Sequence, residues 1–219
     1  MNSPIIQLLV LAGIAVFLIL RLRGVLGTRE GYEKPAVTRA EPDRRRKPEF
    51  DVIEGGPDLD ITDHVAEDSD AAKALAAMKR VDPSFNVGEF LGGARGAYEM
   101  ILMAFEKGEL DGIVPYISED VYEAFATVVD ERQRQGLTIE ANFIGISDMA
   151  LVEAEMDETT KEAEVSVRFK SEMTSIVRDK GGDVIEGSDT EIKRQKDVWT
   201  FARKMDSGDP NWRLVATGE

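Results

Sequence analysis

Residues 137–170 read LTIEANFIGISDMALVEAEMDETTKEAEVSVRFK, and this stretch decides the fold. From Leu137 onward the apolar period becomes two. Ile139, Ala141, Phe143 and Ile144 open a strand, and residues 149–156 alternate again. Alternation over such lengths is the mark of strands buried on one face. Asp157-Glu158-Thr159-Thr160 is a polar turn, after which Val165, Val167 and Phe169 alternate with Ser166, Arg168 and Lys170. Beyond it, residues 179–183 hold Gly181-Gly182 and turn the chain again. An aromatic-rich strand is expected at 198–202, a turn at 207–211, and a last strand with Trp212, Leu214 and Ala216 on one face.

Upstream the period is helical. Asp68 or Ser69 caps a short helix ending near Val81, with Ala71, Ala74, Leu75 and Met78 on one stripe, and Asp82-Pro83 stops it. A second helix is expected over 86–107. Phe90, Leu91, Ala94, Ala97, Tyr98, Ile101, Leu102 and Phe105 recur at three- and four-residue steps, and Gly108 is its C-cap. Gly92, Gly93 and Gly96 inside this helix are costly, and the expectation is that another backbone approaches there. Residues 109–117 read as a helical turn broken by Pro115. Ser118 then caps a helix running to Gln135, with Val121, Tyr122, Phe125, Val128 and Val129 inward and Gly136 as its stop. Helices first and then an antiparallel meander mean an α+β domain, with helices packed on one face of a curved sheet.

The chain opens differently. Residues 1–20, MNSPIIQLLVLAGIAVFLIL, contain no charged side chain, and Arg21 and Arg23 follow at once. At about 1.5 Å per residue, the apolar run 5–20 gives roughly 24 Å, a little short of a hydrocarbon core of about 30 Å. Ile5, Leu8, Leu11, Ile14, Phe17 and Leu20 are the expected lipid-facing residues of a single transmembrane anchor over 1–23. A cleavable signal would carry its charge before the run and small residues after it, the reverse of this pattern. The positive flank puts the C-terminal side in the cytoplasm.

Residues 24–67 read as a flexible linker, rich in Gly and Pro and without a sustained apolar period. Its dense cluster, Arg44, Arg45, Arg46 and Lys47, joins Arg21 and Arg23 as topogenic residues that can contact lipid headgroups. Residues 68–84 form a linking helix, and 85–219 the α+β domain.

The net charge of −15 is unevenly spread. Residues 21–47 carry nine Lys/Arg against four Asp/Glu, whereas 48–219 carry 18 against 38. A basic collar is drawn to an anionic bilayer, and the acidic body is held off it. That body also argues against nucleic-acid binding. The absence of cysteine excludes disulfides, zinc ribbons and thiol catalysis. His64 is the single histidine, and no phosphate or dinucleotide fingerprint is present. Glu153, Glu155, Glu162 and Glu164 fall on strands as a solvent face without metal-ligand spacing. No cofactor is expected. Tyr98, Phe105, Phe125, Phe169, Trp199, Phe201 and Trp212 are expected core, and they mark where a hydrophobic pocket would open between helices and sheet.

An ordered set of residues carries a resemblance. It comprises Phe90, Ala97-Tyr98, Ala104-Phe105, Gly108-Glu109-Leu110, Tyr122 with Phe125, and Arg132 with Gly136. It continues through residues 165–169 (VSVRF) and 197–203 (DVWTFAR) to Asn211-Trp212-Arg213-Leu214. Across about 85–217 the chain resembles the C-terminal domain of the mitochondrial import-motor membrane anchor, the Tim-forty-four-like family, which has bacterial members of the TimA type. The resemblance implies a cone-shaped fold of the nuclear-transport-factor-two/cystatin-like class, with a hydrophobic pocket between helices and sheet. It also implies a non-enzymatic adaptor at an inner membrane, which in mitochondria tethers a DnaK-type chaperone to a protein-conducting channel.

The combined reading is a single-pass adaptor of the bacterial inner membrane, with its C-terminal domain cytoplasmic and bound to protein partners. Two alternatives stand beside it. One is a periplasmic secretion-system component of the same fold. The other is a membrane-tethered enzyme acting on a small apolar molecule, because this fold class hosts isomerases and dehydratases with an Asp–His or Tyr–Asp pair. Glu99 would be the base of such an enzyme, although its ordinary reading is a solvent-facing helix residue.

Overall fold

The computed structural model describes residues 57–218. The expected anchor, the residues Arg21, Arg23, Arg44, Arg45, Arg46 and Lys47, and most of the linker lie outside that range. Among the described residues, no helix is long and apolar enough to cross a membrane.

Side-chain caps set the helix boundaries. Ser69 begins α2 (Asp70–Val81), its Oγ accepting the Ala72 amide at 3.1 Å. Asn86 begins α3 (Val87–Lys107), its Oδ1 accepting the Glu89 amide at 2.8 Å. Ser118 begins α4 (Glu119–Gln135) in the same way. Gly108 ends α3 in the left-handed region at φ 73°, a conformation that favours a residue without Cβ, and Gly136 ends α4. Between α3 and α4 lies a 3-10 segment, Leu110–Tyr116, with Pro115 inside it.

One further helical turn, α1 (Leu59–Thr62), lies within the stretch expected as linker. Ile61 in it is buried. Asp60 reaches across to α3, its two carboxylate oxygens accepting the Val87 and Gly88 amides at 2.8 and 3.0 Å. Asp60 and Asn86 together satisfy three of the four amides that a helix N-terminus leaves without intrahelical partners. Lys79 Nζ lies 2.7 Å from both Asp58 and Asp60 and ties α2 to the same point.

The sheet is a four-stranded antiparallel meander in the order β1-β2-β3-β4, formed by Thr138–Met156, Glu162–Arg178, Val184–Lys204 and Arg213–Gly218. The first three strands are far longer than the alternation suggested. The two apolar pieces read before residue 157 are one 19-residue strand. Its register against β2 skips Ile144, Ser147 and Val152, and each skip is a bulge that bends the strand and interrupts its period. On β3 the register skips Ile185 and the run 189–192. These skips account for four exposed large apolar side chains, Ile144, Val152, Ile185 and Ile192. Gly187 sits between the two β3 irregularities at φ 80°, where an added Cβ would lie 1.9 Å from the Ser175 carbonyl oxygen.

One face of the sheet carries Ala163, Val165, Val167 and Phe169 on β2, paired with Arg203, Phe201, Trp199 and Asp197 on β3. Phe90, Leu91, Ala94, Tyr98, Ile101 and Leu102 of α3 join the apolar ones, Ala163, Val165, Val167, Phe169, Trp199 and Phe201, in the hydrophobic core. Leu75 and Met78 of α2 are fully buried in the same core. The expectation for Gly92, Gly93 and Gly96 fails. An added Cβ at any of the three would meet nothing within 4 Å, because they lie on the exposed face of α3 and no backbone approaches them among the described residues.

Candidate functional site

Two aromatic groups join α3 to the sheet and a third joins it to α4, and the three divide the seven expected pocket residues among them. In the middle, Tyr98 stacks on Phe169 with ring centres 4.3 Å apart and lies 4.6 Å from Trp199. Toward the start of α3, Phe201 and Trp212 pack with Phe90 at 6.0 and 4.7 Å, and Phe85 joins them at 5.7 Å from Trp212. Toward its end, Phe105 and Phe125 lie 4.5 Å apart, and the Arg132 guanidinium sits over Phe105. Tyr98, Phe169, Trp199 and Phe201 are buried, whereas Phe105, Phe125 and Trp212 are half-buried.

Two polar clusters are set into this apolar layer. The Tyr98 hydroxyl donates to Asp197 Oδ2 at 2.5 Å and shares a hydrogen bond with Ser171 Oγ at 2.8 Å. Burial, reinforced by the Asp197 carboxylate, pushes the Tyr98 hydroxyl well above the usual phenol range. The group therefore stays protonated and acts as a donor. The second cluster joins Arg203 to Asp82 by an ion pair between a nearly buried guanidinium and a carboxylate 121 residues away. The guanidinium also faces the Trp212 and Phe85 rings at 5.5 and 6.0 Å. Hydrogen bonds from Ser84, with help from Arg203, hold Asp82 below the usual carboxylate range.

At the far end of α3, burial pushes the Glu106 carboxyl up against the opposing influence of Arg132. Burial likewise lowers the Arg132 guanidinium, which donates to the Phe105 carbonyl at 3.3 Å. Asp60 shows the opposite balance. Partial burial pushes its carboxyl up, but Lys79 and the Val87 and Gly88 amides outweigh that effect and hold it below its ordinary value.

A separate open cleft of about 380 Å³ lies between residues 108–112 and α4. Leu110 and Val129 are buried in its floor, with Tyr122 and Ala126 half-buried beside them. Glu109, Asp111 and Asp130 stand exposed on its rim.

Glu99, the candidate base, is exposed on α3, and His64 is exposed beyond α1. Glu153, Glu155, Glu162 and Glu164 all face solvent. Among the described residues, no group of three or more His, Cys, Asp or Glu side chains could hold a metal ion. The Tyr98–Asp197 and Asp82–Arg203 partnerships escape sequence reasoning, because each joins residues about a hundred positions apart and Asp82 reads locally as a helix stop. The cleft could have been suspected from Glu109 and Asp111 flanking Leu110 at a helix end.

Fold and site together define an α+β protein with a filled helix–sheet seam and an acidic surface cleft. The chain belongs to the family of the Tim44-like domain, whose model matches residues 71–219. Among curated proteins it is similar to the mitochondrial import inner membrane translocase subunit TIM44 of Homo sapiens, with 26% identity over 150 residues, 67% of this chain and 33% of that protein. It is also similar to subunit TIM44-1 of Arabidopsis thaliana, with 21% identity over 161 residues, 71% of this chain and 34% of that protein. The chain thus spans about a third of the length of these relatives. Among solved structures, that of the intermembrane space region of chloroplast protein ARC6 aligns with a TM-score of 0.39 at 10% identity, over 58% of this chain and 94% of that one.

Proposed function

We propose that this protein is a membrane-tethered, non-enzymatic adaptor that binds protein partners at a bacterial inner membrane. The observation that carries the reading is the Tim44-like match over 71–219 in a chain whose first twenty residues are uncharged and followed by Arg21 and Arg23. In this reading residues 1–23 anchor the chain, and the positive flank holds the domain on the cytoplasmic side. The stretch before residue 57 gives the domain a reach of a few tens of Å. The cone-shaped domain presents its surface to a partner of the kind its relatives' name suggests, a translocation complex, with a DnaK-type chaperone as a second candidate. The filled seam around Tyr98 supports binding over catalysis, since the hydroxyl of that buried side chain is already engaged by Ser171 and Asp197.

In-cell crosslinking of the C-terminally tagged chain, with a version lacking residues 1–23 as control, tests this reading. Recovery of translocation machinery or cytoplasmic chaperones, with the membrane partners lost on truncation, supports it. Recovery of periplasmic envelope-assembly proteins would reverse the topology and sink it.

A further inference from the structure

We infer that the cleft between residues 108–112 and α4 seats an arginine side chain carried on an apolar-flanked segment of a partner protein. This deepens the adaptor reading by giving it a docking point. The cleft, at about 380 Å³, is at the small end of the roughly 300–1,000 Å³ usual for ligand sites, a volume suited to one long side chain and its neighbours. Leu110 and Val129 are buried beneath it, the half-buried Tyr122 and Ala126 supply its apolar surface, and the greater part of what it exposes is polar. The Tyr122 ring and the Ala126 methyl can receive the methylene stem of an arginine, whose polar head then meets the polar part of the lining.

The rim supplies the charge. Glu109, Asp111 and Asp130 line the cleft, and none of the lining residues is basic. Among the described residues, none of these three carboxylates makes a hydrogen bond or an ion pair, whereas Asp58, Asp60 and Asp82 are all paired with cations. The backbone adds to the same sign. Helix α3 is 21 residues long and ends at Gly108, on the wall of the cleft, so the negative end of its dipole lies there. A guanidinium satisfies several acceptors at once in a planar fork, which matches a rim of carboxylates better than a compact ammonium does. An anionic headgroup or phosphate would meet only repulsion, and a metal ion finds no converging ligand set among the described residues.

The test uses the full chain in detergent micelles and a fluorescein-labelled peptide, Ala-Leu-Arg-Leu-Ala, followed by anisotropy. Saturable binding below roughly 1 mM is expected, weakening severalfold between low and physiological salt as screening grows. The isosteric neutral peptide, with citrulline for arginine, should bind about tenfold more weakly or worse. Asp111→Asn with Asp130→Asn should cost a similar factor. Gly112→Trp should block binding without touching a charge, because a side chain there meets open space and would fill the cleft. Glu119→Gln with Asp120→Asn, on the first turn of α4 outside the cleft, changes the net charge equally and should leave affinity within about twofold. An unchanged unfolding midpoint certifies the fold of each variant. The inference is overturned by equal binding of the citrulline peptide, by equal loss in the Glu119/Asp120 control, by an indifferent Gly112→Trp, or by no saturable binding. Because the assay uses purified protein and a peptide, its failure is separable from a failed capture of partners in cells.

Discussion

Tyr98→Phe removes one oxygen and leaves every apolar contact of the ring in place. Tyr98 is fully buried, stacked on Phe169 and packed against Trp199, so no cavity opens and the effect isolates the hydroxyl. That hydroxyl donates to Asp197 at 2.5 Å and shares a bond with Ser171 at 2.8 Å. A hydrogen bond to a charged acceptor contributes about 1.5–3 kcal/mol. Ser171 is only 1% exposed, and leaving its hydroxyl without this partner adds about 1 kcal/mol. The expected loss is therefore about 2–4 kcal/mol, a large share of the 5–15 kcal/mol typical of a folded domain. Equilibrium urea unfolding followed by tryptophan fluorescence measures it, since Trp199 reports from within the cluster. Ser171→Ala should cost only about 1 kcal/mol, and in its background Tyr98→Phe should cost correspondingly less, because no serine hydroxyl is then stranded. A Tyr98→Phe loss under about 0.5 kcal/mol, or strictly additive single and double variants, would refute the view that this network pins α3 to the sheet.

Gly187→Ala places a Cβ 1.9 Å from the Ser175 carbonyl oxygen at φ 80° and should destabilise by about 2 kcal/mol or more in the same unfolding assay. Asp60→Ala strips two amides at the start of α3 of their acceptors and should cost about 1–2 kcal/mol. Because the folded state lowers the Asp60 carboxyl from 3.8, that contribution is fully present above the unfolded value and is lost as pH falls through the lower folded one. Asp60→Ala should therefore flatten the acid limb of the stability profile. Alanine at Gly92, Gly93 and Gly96 meets open space on a helix exterior, so each substitution should stabilise by about 0.5–1 kcal/mol, read as a rise in thermal midpoint.

Helix boundaries were legible because side-chain chemistry encodes them locally. Ser69, Asn86, Gly108, Ser118 and Gly136 each act as the cap their residue type suggests. Strand lengths were not legible, because each skipped residue resets the alternation. The skips at Ile144 and Ser147 separate β1 into two pieces in the sequence pattern, 139–144 and 149–156, although β2 pairs with it on both sides of them. The N-terminal half of β3 carries no apolar alternation to read, because Val184, Ile185 and Ile192 are exposed and, among the described residues, β2 is its only strand neighbour, β4 pairing only with 198–202. The aromatic set was legible as core, but its partition into three groups depends on which part of α3 meets the sheet and which meets α4. The glycines of α3 misled for a physical reason. Their cost in a helix is certain from sequence, but what compensates it depends on neighbours that sequence does not name.

The two ends of α3 explain why the exposed chemistry collects where it does. At the N-terminus the positive end of the helix is closed within the domain, because Asp60 and Asn86 take three amides and Lys79 neutralises the acids gathered there. At the C-terminus the amides of Gly108 and Glu109 bond the last-turn carbonyls, so the backbone is satisfied there too. The charge is not. Glu109 and Asp111 follow directly on the negative end of the helix dipole, and Asp130 faces them from α4. Placing acids at that end opposes the usual preference for cations near a helix C-terminus, and folding alone supplies no reason for it. Lys107 in the last turn supplies only one opposing charge and does not line the cleft. Asp58 and Asp60 are paired with a cation at one end of the 21-residue α3, whereas Glu109, Asp111 and Asp130 stand unpaired around a cleft at the other, an arrangement suited to a cation that arrives from outside.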